Sequence, residues 1–136
     1  MRTQRAPLTR PPQTATFDKR PEAVAHARDI TRAFVAGLSP EVGDQNASSI
    51  ELVVSELVTN VVRHARGTLC SLRLQARRDV ITVAVSDADP RPPQERAPDL
   101  AGDTGGFGWP MVQHLARVVT VSLDATSKTI RAELAR

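Results

Sequence analysis

Between residues 51 and 67 the chain reads ELVVSELVTNVVRHARG. From the preceding Ile50 on, Val53, Val54, Leu57, Val58, Val61, Val62 and Ala65 recur at three- and four-residue steps. That spacing lays them on one broad stripe of an α-helix. It predicts a helix from Asp44 or Asn46 to Ala65, ended by Gly67. An apolar stripe so wide has to be covered by a second layer. Through the same run, Glu56, Asn60 and His64 follow at four-residue intervals and line up at the margin of the stripe. Two readings are open. An unpaired buried carboxylate is costly, which favours a line facing a cleft. A solvated surface seam, with His64 closing the helix, accounts for the same spacing.

The rest of the chain supplies the covering layer. Pro21 stands where a helix can begin, because its missing N–H costs nothing there. Val24, Ala27, Ile30, Phe34 and Leu38 follow with helical spacing, and Gly37 marks the end. TATF (14–17) reads as a short edge strand. LCSLRLQA and VITVAVSD are aliphatic and β-branched runs joined by RRD, which predicts a hairpin. VVTVSLDA and TIRAEL predict a second hairpin around TSK. Between the hairpins, WPMVQHLARV predicts a third helix, with Pro110 near its start. Residues 88–106 hold four prolines with charges and glycines, and loops of that length are lids or disordered segments. Residues 1–13 mix proline, arginine and polar residues without a period, and read as a mobile tail. Residues 14–136 then form one domain. Short turns between strands make the sheet mostly antiparallel with helices on one face, an α+β two-layer sandwich.

Composition sets the outer bounds. At 136 residues, 40% hydrophobic and 24% charged, the chain is an ordinary globular protein with a core of its own. Three Phe, one Trp and no Tyr leave that core to Val, Leu, Ile and Ala. The single cysteine, Cys70, lies in a strand and reads as a small core residue. It has no internal partner and no secretory signal precedes it, so a reducing cytosol is the expected compartment. No apolar run approaches the roughly 18 residues of a membrane span. The net charge of +3 is spread over an arginine-rich surface without a basic, aromatic-interleaved helix, so nucleic-acid binding ranks last among the functions considered.

Two further stretches carry chemistry. Asp87 ends a buried strand in VSDADP. A carboxylate there can accept a hydrogen bond from an exocyclic amine such as that of adenine, or simply start a turn. GDTGGFGWPMV (102–112) sets four glycines before a helix start, where backbone can approach a phosphate closely. It is neither the strand-led dinucleotide fingerprint nor a P-loop.

In this order, the Glu-x-x-x-Asn helix, strand-end Asp, long loop and Gly-rich helix start resemble the GHKL ATP-binding superfamily. The resemblance runs over nearly all of 14–136 and is strongest to the small anti-sigma-factor serine/threonine kinases of actinobacteria. It implies that the chain binds ATP and Mg²⁺. Asn60 would ligate Mg²⁺, and Glu56 would act as general base toward a hydroxyl attacking the γ-phosphate. Asp87 would accept the adenine amine and Thr129 would support the adenine pocket. Gly106 and Gly108 would let loop 88–106 close over the phosphates as a lid. The implied partners are a sigma factor or an anti-anti-sigma protein, the latter phosphorylated on Ser or Thr, and a homodimer is compatible. Neither His26 nor His114 sits in a phosphoacceptor motif, and a complete sensor histidine kinase is not expected.

The chain departs from the family pattern at three places. Asp89, followed by Pro90, stands where the family carries glycine. Thr104 and Gly105 stand where kinase members carry arginine. Trp109 and Pro110 replace small aliphatic residues. These departures bear on catalysis more than on binding, and they keep a second expectation open: a non-catalytic nucleotide-binding module that works by protein contact. Arg63 and His64 fall near the mouth of the cleft.

Overall fold

A computed structural model describes residues 6–92 and 108–136. In chain order the elements are β1 (Gln13–Asp18), α1 (Glu22–Ala36), α2 (Asp44–His64), β2 (Leu69–Ala76), β3 (Val80–Asp87), α3 (Gly108–Leu115), β4 (Val118–Leu123) and β5 (Lys128–Ala135). The five strands form one open sheet in the order β1-β2-β3-β5-β4. Every neighbouring pair is antiparallel. This is the α+β two-layer sandwich that the hydrophobic pattern predicts.

Strand alternation decides which side carries the helices. Leu72, Val85 and Ile130 are neighbours across β2, β3 and β5, as are Leu74, Val83 and Ala132. All six are buried and join one core with Ile50, Val53, Val54, Leu57, Val58 and Val61 of α2. Side chains on a strand alternate between faces. The residues between them therefore point away from the helices. A cross-strand row of small hydroxyls, Thr16, Ser71, Ser86, Thr129 and Ser122, crosses that open face.

Helix α2 packs on β3 and β5 between α1 and α3. It stops at His64, one residue short of the predicted end, and Ala65 is extended with φ −77° and ψ 148°. Tertiary hydrogen bonds end it there. Lys19 Nζ donates to the Ala65 carbonyl at 2.6 Å, and the Arg66 N–H donates to Asp89 Oδ2 at 2.9 Å. Gly67 follows with φ +91°, a conformation that disfavours a side chain.

Residues 8–13, expected as part of a tail, are tied to the rest. Leu8 bridges to Arg77, and the Thr9 N–H donates to the Ala76 carbonyl at 2.8 Å. Arg10 donates to the Phe34 carbonyl at 3.0 Å and lies 4.6 Å above the Phe34 ring. Proline and arginine carry no strand period, so these long-range bonds leave no mark in the local pattern. Among the described residues no helix is long and apolar enough to cross a membrane.

The two sides of α2 should respond differently to truncation. Leu57 is 1% exposed and Leu52 is 44% exposed. Leu57→Ala is expected to cost about 3 kcal/mol, and Leu52→Ala less than about 0.5 kcal/mol, in urea unfolding.

Candidate functional site

The polar line on α2 faces the start of α3. Glu56 and Asn60 are half-buried, one helical turn apart. Gly108, the first residue of α3, is buried directly against them. A side-chain carbon at Gly108 would run into the Glu56 carboxylate and come within 3.9 Å of Asn60 Oδ1. A larger residue here would have to displace the Glu56 carboxylate from its place. The opening turn of a helix carries backbone N–H groups without intrahelical partners. A carboxylate, an amide oxygen and such a turn thus meet in one place. Burial pushes the Glu56 carboxyl above its ordinary range, and the charge of Arg63 acts in the opposite direction. A carboxylate with raised proton affinity is a stronger base than an exposed one.

The second cluster sits at the end of β3. Asp87 is on the helix-bearing face, buried, and opposite Lys128 of β5. Its Oδ1 accepts the Asp89 N–H at 2.8 Å, and its Oδ2 lies 3.4 Å from Lys128 Nζ. Asp89 is 1% exposed. It accepts from the Arg66 N–H at 2.9 Å, from the Arg91 N–H at 3.0 Å, and from the Arg91 guanidinium at 2.6 to 3.1 Å. Arg91 in turn donates to the His64 carbonyl at 3.0 Å, and Lys128 donates to the Arg91 carbonyl at 2.8 Å. The Arg91 guanidinium holds the Asp89 carboxyl well below the usual carboxylate range, against the opposing effect of burial.

This network stitches the end of β3 to the end of α2. The second carboxylate of VSDADP therefore points neither to solvent nor into an open cleft; it is a fastening. The same stitching brings Ala88 against Gly67, where an added Cβ would stand 2.9 Å from the Ala88 Cβ.

The sequence-predicted residues fall into three groups. Glu56 and Asn60 of α2 come together with Gly108 of α3, and Asp87 is anchored beside the end of α2. Gly106, and the lid beyond residue 92, lie outside the described residues. Thr129 is on the opposite face from Asp87, with its hydroxyl 2.8 Å from that of Ser86. The residue beside Asp87 is Lys128. Period-two counting along KTIRAELA would have found it, because Lys128 shares a face with Ile130, Ala132 and Leu134. The role of Asp89 and Arg91 as a clasp had no local signal. Cys70 is fully buried opposite Asp87, and burial, with the Asp87 charge adding, pushes its thiol up to about 12.

The model of the histidine kinase-like ATPase domain family matches residues 17–134. A crystal structure of the RsbU and RsbW domains of Rv1364c from Mycobacterium tuberculosis is similar, with a TM-score of 0.67 at 18% sequence identity. The similarity covers 93% of this chain and 33% of that one, so this chain spans about a third of its length, and it bears on the fold. No curated protein matches the chain.

Both titrating carboxyls give the site a stability signature. Asp89 has a depressed folded-state pKa, so its contribution is present above its unfolded value near 3.8 and is lost as pH falls below it. Asp89→Asn is expected to cost about 1–2 kcal/mol at pH 7, discounted because Arg91 is half-exposed. The difference from wild type should close on acidification. Glu56 has a raised folded-state pKa, so the stability it contributes is present below its unfolded value near 4.5 and is lost as pH rises through the folded value. Glu56→Gln is therefore expected to melt higher than wild type at pH 7 and level with it near pH 4, in thermal unfolding followed by circular dichroism.

Proposed function

Because the chain belongs to the histidine kinase-like ATPase domain family, we propose that it is an ATP- and Mg²⁺-binding regulatory protein kinase of the anti-sigma-factor type. The observation that carries this reading is the packing of Gly108 on Glu56 and Asn60. A neutral amide oxygen, a carboxylate and a helix N-terminus in contact suit a triphosphate with its cation. Asn60 Oδ1 is a hard oxygen donor, and Mg²⁺ usually takes only one or two protein ligands beside phosphate and water. When bound, the ion would neutralise charge on the phosphates. The opening N–H groups of α3 would bind phosphate oxygens.

In the proposed reaction a Ser or Thr hydroxyl of an anti-anti-sigma protein attacks the γ-phosphorus. Glu56 takes the hydroxyl proton as the new O–P bond forms. The bond to the bridging oxygen breaks, and ADP leaves with that electron pair. Asp87 would accept from the exocyclic amine of adenine, since each of its oxygens has lone-pair capacity beyond the contacts described. A sigma factor is the second proposed partner, held by protein contact. One observation favours a non-catalytic variant of this reading: Thr104 and Gly105 put no cation before the last glycines. Binding without transfer would identify that variant.

Titration calorimetry with ATP tests the binding half. Affinity is expected to depend on Mg²⁺ and to fall at least about tenfold in Asn60→Ala, the loss of one charge-assisted contact; unchanged affinity rejects the assignment of Asn60. Glu56→Ala is expected to keep ATP and lose transfer of labelled phosphate to the partner by about 10²-fold or more. Because Glu56 must be ionised to act, the wild-type transfer rate should rise with pH to a plateau. Its midpoint should lie above the ordinary glutamate value of 4.5.

A further inference from the structure

We propose that Lys128 reads the nucleobase together with Asp87, in the place that the letter pattern alone assigns to Thr129; this rests on the nucleotide-binding reading above. Three observations carry it. Register puts Lys128 directly opposite Asp87 on the helix-bearing face, while Thr129 turns to the other face and bonds to Ser86. Lys128 Nζ lies 3.4 Å from Asp87 Oδ2 and donates to the Arg91 carbonyl at 2.8 Å. Its side chain is only 10% exposed, so the ammonium is held in the site and does not wander in solvent.

An ammonium group has three N–H donors and no acceptor. One is donated to the Arg91 carbonyl, the charge is paired with Asp87 at 3.4 Å, and the ammonium keeps donor capacity for a ligand. Asp87 and Lys128 therefore present an obligate acceptor beside an obligate donor. The edge of adenine presents the complement: an exocyclic amine that donates, next to a ring nitrogen that accepts. A carboxylate alone reads only the amine. A hydroxyl in place of Lys128 could donate or accept, and would not discriminate at the ring nitrogen. The fixed ammonium makes an acceptor there a requirement, through a charge-assisted hydrogen bond. Both readers are preset, Asp87 by the Asp89 N–H and Lys128 by the Arg91 carbonyl, so little ordering is left to binding.

The test compares Mg²⁺-ATP with Mg²⁺-1-deaza-ATP, in which that ring nitrogen is replaced by C–H, on the full chain by calorimetry. Wild type is expected to bind ATP at least about tenfold more tightly than the analogue, the size of one charged hydrogen bond. In Lys128→Met the two affinities should become equal, with ATP falling to the level of the analogue. That variant leaves the Asp87 carboxylate without its cation. The double variant Asp87→Asn, Lys128→Met removes both charges and is measured beside it, with near-UV circular dichroism reporting the fold. Its ratio is likewise expected near one. A wild-type ratio retained in either folded variant overturns the proposal. So does tighter ATP binding in Lys128→Met, which would make the lysine a plug in the pocket. If wild type binds ATP and 1-deaza-ATP equally, Lys128 does not read the base while the nucleotide reading stands; if it binds neither, both readings fall.

Discussion

Everything in this molecule follows from covering one side of α2. Six fully or nearly buried aliphatic residues, Ile50 to Val61, press against the inner face of β3 and β5. Each such side chain contributes on the order of 1.5–3 kcal/mol when withdrawn from water. No rotation of the helix keeps that burial and hides Glu56 and Asn60 as well. The polar pair is thereby forced to the margin of the interface, where α3 comes down. The catalytic candidates owe their position to the apolar residues beside them.

The charged groups do a different job. Asp87, Asp89, Arg91 and Lys128 are neighbours in space at the place where β3 runs out of hydrogen-bonded partners. Burying carboxylates is unfavourable unless they are paired and bonded, and here both are. Asp89 takes backbone N–H groups from two separate segments, which fixes the end of α2 relative to the end of β3. A glycine at this position would leave the chain free to approach a ligand. The aspartate exchanges that freedom for a rigid corner, so whatever binds at Asp87 meets a surface already organised.

The strands, the helices and their layering were legible because periods of two and of 3.6 residues survive in the letters. Glu56 and Asn60 were legible for the same reason, since a four-residue step is itself a statement about geometry. The resemblance points to Thr129 by its letter, whereas the register sets Lys128 opposite Asp87. Lys128, Ile130, Ala132 and Leu134 show by alternation which residues look inward, and a lysine in that series is the anomaly. The Asp89–Arg91 clasp was out of reach. Its residues are two apart in a proline-rich stretch, and nothing in that spacing indicates that they fasten onto a helix more than twenty residues earlier. The anchoring of residues 8–13 was hidden likewise, because its partners lie at Ala76, Arg77 and Phe34.

Cys70 shows what such an arrangement means for observing the molecule. Its thiol is sealed under the same corner, between Asp87 on one neighbouring strand and Phe17 on the other. Thiolate, not thiol, is the reacting form, and at neutral pH almost none of it exists in the closed structure. An alkylating reagent would reach this sulfur only through molecules that have opened. The chain thus carries one native clock on its own breathing. Its rate would register whether a ligand at the far side of Asp87 tightens the corner, with no foreign label attached.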